Sequence, residues 1–167
     1  ITDLENLRRS KYVQSSIGLS YKEVEYFLDD GNIVLFSGTP CQIAGLQSFL
    51  KTPRDDLITM EVVCHGVPSS KVYRRYLSYL ENSYNGEICE VNFRSKNRGW
   101  DNYSTSIHFS NGKQYSEINS IEPFFMRGFL TNLYLRPSCY DCKFKHNNSV
   151  ADITVGDYWR IDRLYSH

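Results

Sequence analysis

Four of the five cysteines stand where a thiolate could do chemistry: Cys41 in GTPCQ, Cys64 in VVCHG, and Cys139 and Cys142 in CYDC. A two-residue spacer lets both sulfurs of the CYDC pair turn toward one ion or cluster, and the same spacing also serves dithiol redox centres. Three separate segments must converge for all four thiolates to share a site. Such a set holds zinc or an iron–sulfur cluster. Zinc modules usually draw their ligands from two short knuckles, whereas Cys41 and Cys64 come singly from different segments. That dispersal favours a cluster embedded in an α/β enzyme. Lys143 and Lys145 follow the CYDC pair and either offset the charge of a thiolate-bound cluster or are solvated loop residues.

The elements that must carry these thiols can be read from periodicity. Ser20 with Glu23 forms a capping-box pattern, and Val24, Phe27 and Leu28 give the apolar stripe of a helix that Gly31 stops. Ile33 to Phe36 reads as a strand buried on both faces, broken by Ser37 and Gly38. Thr39, Pro40 and Gln42 then supply N-cap, first-turn proline and capping-box glutamine for a helix bearing Ile43, Leu46 and Leu50. This puts Cys41 in a first helical turn, where free amides and the helix dipole favour a thiolate; the alternative is a small residue packed at a strand–helix corner. Leu57 to Val63 reads as a second buried strand that ends at Cys64. A helix follows from Pro68 and Ser69, with Val72, Tyr73, Tyr76, Leu77, Leu80 and Tyr84 at helical spacing until Asn85 and Gly86. Two strand–helix units of this kind predict parallel strands whose carboxyl ends carry both single cysteines, the edge where open parallel sheets bind ligands.

The second half alternates instead. Cys89, Val91 and Phe93 share one face of a strand, which reads Cys89 as a core residue. Tyr103, Thr105, Ile107 and Phe109 form another, and Asn111-Gly112 predicts a two-residue hairpin turn leading to Tyr115. Pro123 opens a helix containing Phe124, Phe125, Phe129 and Leu130; the CYDC loop follows Pro137, and Asp152 to Trp159 reads as a last strand. The expected fold is α/β, a mixed sheet with parallel strand–helix units first and an antiparallel hairpin second, in a single domain over residues 1–167 that is a fragment of a longer chain.

Composition narrows the function. Lys plus Arg and Asp plus Glu both total 19, so nothing favours a nucleic-acid or membrane surface. No run has the length of a membrane-spanning helix or the form of a secretory signal. An odd cysteine count without a small secreted framework points to reduced thiols in the cytoplasm.

The ordered motifs SKYVQSS, VLFSGTPCQIAGLQSFL, VCHGVPSSKVYRRYL, NFRSKNRGW, LYLRPSCYDCKFK and DITVGDYW run from about Ser10 to Trp159. Together they resemble the carboxy-terminal domain of the beta subunits of coenzyme F420 hydrogenases and dehydrogenases. The resemblance implies an iron–sulfur flavoprotein oxidoreductase that passes electrons between a partner, a 4Fe–4S cluster, FAD and a hydride acceptor such as coenzyme F420. It makes Cys41, Cys64, Cys139 and Cys142 the cluster ligands. It brings the backbone of Ser37, Gly38 and Thr39 to the flavin or cluster edge, and makes Arg94 of FRSK a phosphate or flavin contact; the alternative for Arg94 is a salt bridge at a strand end. Trp100 and Trp159 would pack on the flavin or serve ordinary packing, and His65 would tune the cluster or cap a turn.

The chain departs from the family pattern in lacking the CxxC-rich, ferredoxin-like segment and the flavin-holding region after it, and in carrying Arg160 where glycine is common. An electron donor would then be a partner protein or that missing segment. Two other classes share the thiols: a zinc-stabilised structural or binding module, and a thiol redox enzyme using Cys41 or the CYDC pair directly.

Overall fold

The structure is a computed structural model that describes residues 12–96, 104–118, 125–145 and 149–157. The expectations resting on Ser10, Trp100, Tyr103, Pro123, Phe124, Trp159 and Arg160 lie outside the described residues. The chain folds as two compact units, one drawing on Ser16–His65 and Asp141–His167 and the other on Ile1–Ser15 and Gly66–Tyr140. The α/β class holds, with the parallel and the antiparallel strands in two separate three-stranded sheets.

The parallel unit begins with helix α1 (Ser20–Asp29), strand β1 (Val34–Gly38), helix α2 (Pro40–Leu50) and strand β2 (Leu57–Val62), and is completed by strand β6 (Ile153–Val155). Its order is β1-β2-β6, with Val34 to Gly38 in register with Leu57 to Glu61, and Met60 to Val62 with Ile153 to Val155. Val24 and Leu28 of α1 and Leu46 of α2 form a buried cluster against Val34, Phe36 and Leu57. Both helices therefore cover one face of the sheet. On the other face Leu35, Ile58 and Val62 are exposed among the described residues, where the apolar runs imply burial on both sides. Ser37 and Gly38 belong to β1 rather than breaking it. Helix α1 also starts differently: Leu19 is the N-cap, no side chain caps it, and Ser20 is already helical, because a turn closed by the Ser20 N–H on the Ile17 carbonyl runs straight into the helix. Phe27 lies outside the stripe, exposed.

The antiparallel unit consists of helix α3 (Ser70–Tyr84), strands β3 (Ile88–Ser95), β4 (Ser104–Phe109) and β5 (Gln114–Ile118), and the short helices α4 (Phe125–Leu130) and α5 (Pro137–Tyr140). Its sheet order is β3-β4-β5. Ser69 caps α3 by accepting the Val72 N–H, and Asn85 ends it in the left-handed conformation. Leu80, Ile107 and Phe109 form one core, with Tyr84 stacked on Phe109 at 4.7 Å; Phe93, Phe125, Met126, Phe129 and Leu135 form another. The hairpin turn has three loop residues rather than two. The Gly112 N–H closes a turn on the Phe109 carbonyl, and Gly112 alone has positive φ, at 80°, which fits a type I turn with a glycine bulge.

Cys89 corrects a sequence expectation. The β3–β4 register shifts between Ile88 and Glu90, leaving Cys89 as an extra residue in a bulge. The bulge inverts the alternation, so Ile88 and Val91 pack on the Leu80 cluster while Cys89 is exposed.

Candidate metal centre

Cys41 is the second residue of α2, one step past Pro40 at the carboxyl end of β1. The predicted cap is present. The Thr39 N–H donates to Gln42 Oε1 at 2.9 Å, the Thr39 hydroxyl donates to the same oxygen at 3.1 Å, and Gln42 itself is buried. This fixes the turn and leaves Cys41 exposed, its Sγ 3.3 Å from Thr39 Oγ1. Cys41 thus stands in the first turn of an eleven-residue helix.

Tyr21, which carried no signal in the sequence beyond an aromatic in a first helical turn, braces this turn. Its hydroxyl donates to the Gln42 carbonyl at 2.8 Å, and its ring lies 5.9 Å from both Phe36 and Phe49. Burial first, and the nearby charge of Cys41 second, raise the Tyr21 phenol above its ordinary pKa.

Cys64 is half-buried, two residues beyond the end of β2. Because β1 and β2 are parallel neighbours, Cys41 and Cys64 both follow the carboxyl edge of the sheet, as their position after two strands predicts. Ser37 and Gly38 are the last residues of β1, in register with Met60 and Glu61. His65 is exposed.

Glu61 is a second residue without a sequence signal. It is only 4 % exposed, and its Oε1 accepts the Thr154 hydroxyl at 3.0 Å, while Oε2 is buried with no hydrogen-bond partner among the described residues. Strand alternation explains its direction, since Leu57, Thr59 and Glu61 share the covered face of β2.

In the antiparallel unit, Cys139 lies in the helical turn α5 rather than in an open loop, its N–H donating to the Arg136 carbonyl at 2.8 Å. It packs beside the Phe93–Leu135 cluster. Tyr140, the residue after it, clips the turn in place: its hydroxyl donates to the Asn132 carbonyl at 2.7 Å and accepts the Leu135 N–H at 3.1 Å. The segment just after the CHG motif pairs with the segment just before α5. Pro68 and Leu135 form an antiparallel bridge, the Ser69 N–H donates to the Tyr134 carbonyl at 2.8 Å, and the Arg136 N–H to the Val67 carbonyl at 2.7 Å. Gly66 closes this pairing at φ +150°, where a Cβ would stand 3.0 Å from Leu135 Cδ1 and 3.5 Å from Cys139 Cβ. The positive φ favours glycine there, and an added Cβ would also push on the end of the Leu135 side chain.

Cys142 is half-buried just past α5, Lys143 is exposed and Lys145 half-buried. Arg94 is half-buried on β3 of the antiparallel unit, and its N–H donates to Asn92 Oδ1 at 3.1 Å. None of the five cysteines is joined in a disulfide. Among the described residues no three His, Cys, Asp or Glu side chains are gathered as a metal-holding group. The donors nevertheless suit a thiolate-bound centre in kind: four unbridged sulfurs, one of them on a helix N-terminal turn.

A parallel sheet that runs into a cysteine-bearing helix turn, together with an antiparallel unit whose helical turn carries another thiol, defines a mixed α/β protein with sulfur-rich candidate ligands. Residues 31–166 match the family described as the C terminus of the beta subunit of coenzyme F420 hydrogenase/dehydrogenase, and the chain belongs to that family. Among solved structures it is similar to a chain of the F420-reducing NiFe hydrogenase complex from Methanosarcina barkeri, with a TM-score of 0.51 and 17% sequence identity. The similarity covers 93% of this chain and 50% of that one, so the chain spans about half the length of its structural relative. No match is found among curated proteins. No helix of the described residues is long and apolar enough to cross a membrane.

Proposed function

We propose that this chain is the cofactor-holding part of an oxidoreductase, in which Cys41, Cys64, Cys139 and Cys142 ligate a 4Fe–4S cluster. Ser37, Gly38 and Thr39 would bind FAD through their backbone amides, Arg94 would contact its phosphate or its ring, and the hydride acceptor would be a small molecule such as coenzyme F420. Electrons come from a partner protein or from a ferredoxin-like segment of the longer polypeptide. Such a cluster supplies one-electron transfer and a flavin the change to hydride transfer. The residues of this chain bind and orient: the α2 cap presents Cys41, the carboxyl edge of the parallel sheet carries Cys41 and Cys64, and Tyr140 holds the turn that bears Cys139.

One observation carries this reading. Gly66 of the CHG motif faces Cys139 of the CYDC motif, where an added Cβ would stand in ordinary contact, 3.5 Å, with Cys139 Cβ and press at 3.0 Å on Leu135 Cδ1. Residues of two motifs, more than seventy positions apart, meet within the antiparallel unit at a glycine of positive φ, as expected if the motifs serve one site. Membership of the family supports the reaction class.

The test is anaerobic purification and reconstitution with iron and sulfide, followed by visible absorption and metal analysis. Stoichiometric iron with broad charge-transfer absorption is expected. Cys41→Ser and Cys64→Ser should lose it, and Cys89→Ser should keep it, since Cys89 sits in an exposed bulge. Zinc alone in the reconstituted protein would overturn the electron-transfer reading in favour of a structural module.

A further inference from the structure

The N-terminal turn of α2 contains one proton with two acceptors. Thr39 Oγ1 carries a single hydrogen, lies 3.1 Å from Gln42 Oε1 and 3.3 Å from Cys41 Sγ, and either atom of the second pair can be the donor. When Cys41 is a thiol, its own S–H can donate to Thr39 while the hydroxyl proton stays on Gln42. A metal-bound sulfur has no proton and only accepts, so the sole hydrogen available between the two side chains is that of Thr39. Turning it toward sulfur does not dismantle the cap, because Gln42 Oε1 still accepts the Thr39 N–H at 2.9 Å and Tyr21 still holds the Gln42 carbonyl. Gln42 thus parks the hydroxyl proton in one state and releases it in the other.

We propose that the Thr39 hydroxyl is a hydrogen-bond donor to the Cys41 sulfur and thereby raises the reduction potential of the centre that Cys41 ligates. This inference rests on the functional reading above. Reduction adds negative charge to the centre and its sulfurs, and a donor aimed at a ligand sulfur stabilises the reduced form more than the oxidised one. Its place at the N-cap gives Thr39 a structural role as well, so the two roles must be separated. Glycine is tolerated as an N-cap far better than alanine or valine and has no hydroxyl, whereas serine keeps both cap and hydroxyl.

The experiment compares iron content and midpoint potential, by spectroelectrochemical titration, in reconstituted wild type, Thr39→Gly, Thr39→Val and Thr39→Ser. Full iron in all four is expected, with the potential shifted lower in the two hydroxyl-free variants and kept at the wild-type value in Thr39→Ser. If Thr39→Val fails to fold, Thr39→Gly alone decides. Iron-loaded Thr39→Gly at the wild-type potential overturns this inference and leaves the functional reading standing. An equal shift in Thr39→Ser also overturns it, since packing rather than the hydroxyl would then be responsible. A wild type that takes up no iron overturns the functional reading and this inference with it.

Discussion

At the scale of single residues, the turns that carry Cys41 and Cys139 are shaped by Thr39, Gln42 and Tyr140. Thr39 and Gln42 were legible because a capping box is a pattern of neighbouring residues, and a local pattern survives whatever the rest of the chain does. Tyr21, Tyr140 and Glu61 were not, since each acts through a partner chosen by folding. Gly66 illustrates the difference: its motif is visible in the sequence, but the reason for glycine is the positive φ that folding imposes and the Leu135 side chain facing it. Gly66→Ala must strain a positive φ and displace Leu135, so it should cost about 1–3 kcal/mol in urea unfolding. It should also lower iron uptake on reconstitution, whereas a purely structural loss would reduce stability and leave iron per folded protein unchanged.

Among the secondary-structure elements, β6 presents a puzzle in packing. It is three residues long, and all three are exposed, so apolar burial does little to hold it on β2. Polar bonds take that part. The Thr154 hydroxyl donates to the buried carboxylate of Glu61, in register across the β2–β6 pair. An exposed Thr→Val change in a strand is ordinarily close to neutral. Here Thr154→Val strips that donor from a buried acceptor and should cost about 1–3 kcal/mol. Equilibrium unfolding checks this, and a change of a few tenths would mean that Glu61 is satisfied in another way. The Cys89 bulge makes a related point: alternation in β3 put the thiol in the core, and one extra residue in the ladder turned it out.

Over the whole molecule, the parallel unit is assembled from two stretches of chain separated by the antiparallel unit. Asp152 joins them, accepting both the Thr59 hydroxyl and the Thr59 N–H at 2.7 Å, 93 positions away. The Thr59 hydroxyl, then its N–H, hold the Asp152 carboxyl below its ordinary pKa. A depressed carboxylate contributes stability that is present above the unfolded pKa of about 4 and disappears as pH falls through the folded value. The unit should therefore lose stability in acid, and Asp152→Asn should lower the melting temperature at neutral pH while flattening its decline below about pH 4. Parallel slopes for the two proteins would sink this assignment. Contiguous residues were enough to establish the α/β class, the strand–helix order, the α2 cap and the position of Cys41 and Cys64 after neighbouring strands, because periodicity and capping are short-range. Folding alone settled that the strands form two sheets, that α1 and α2 share one face of the parallel sheet, that β6 joins β2 and that Gly66 meets Cys139. Those outcomes depend on pairings across tens of residues, where many partners are compatible with one local pattern and packing selects among them.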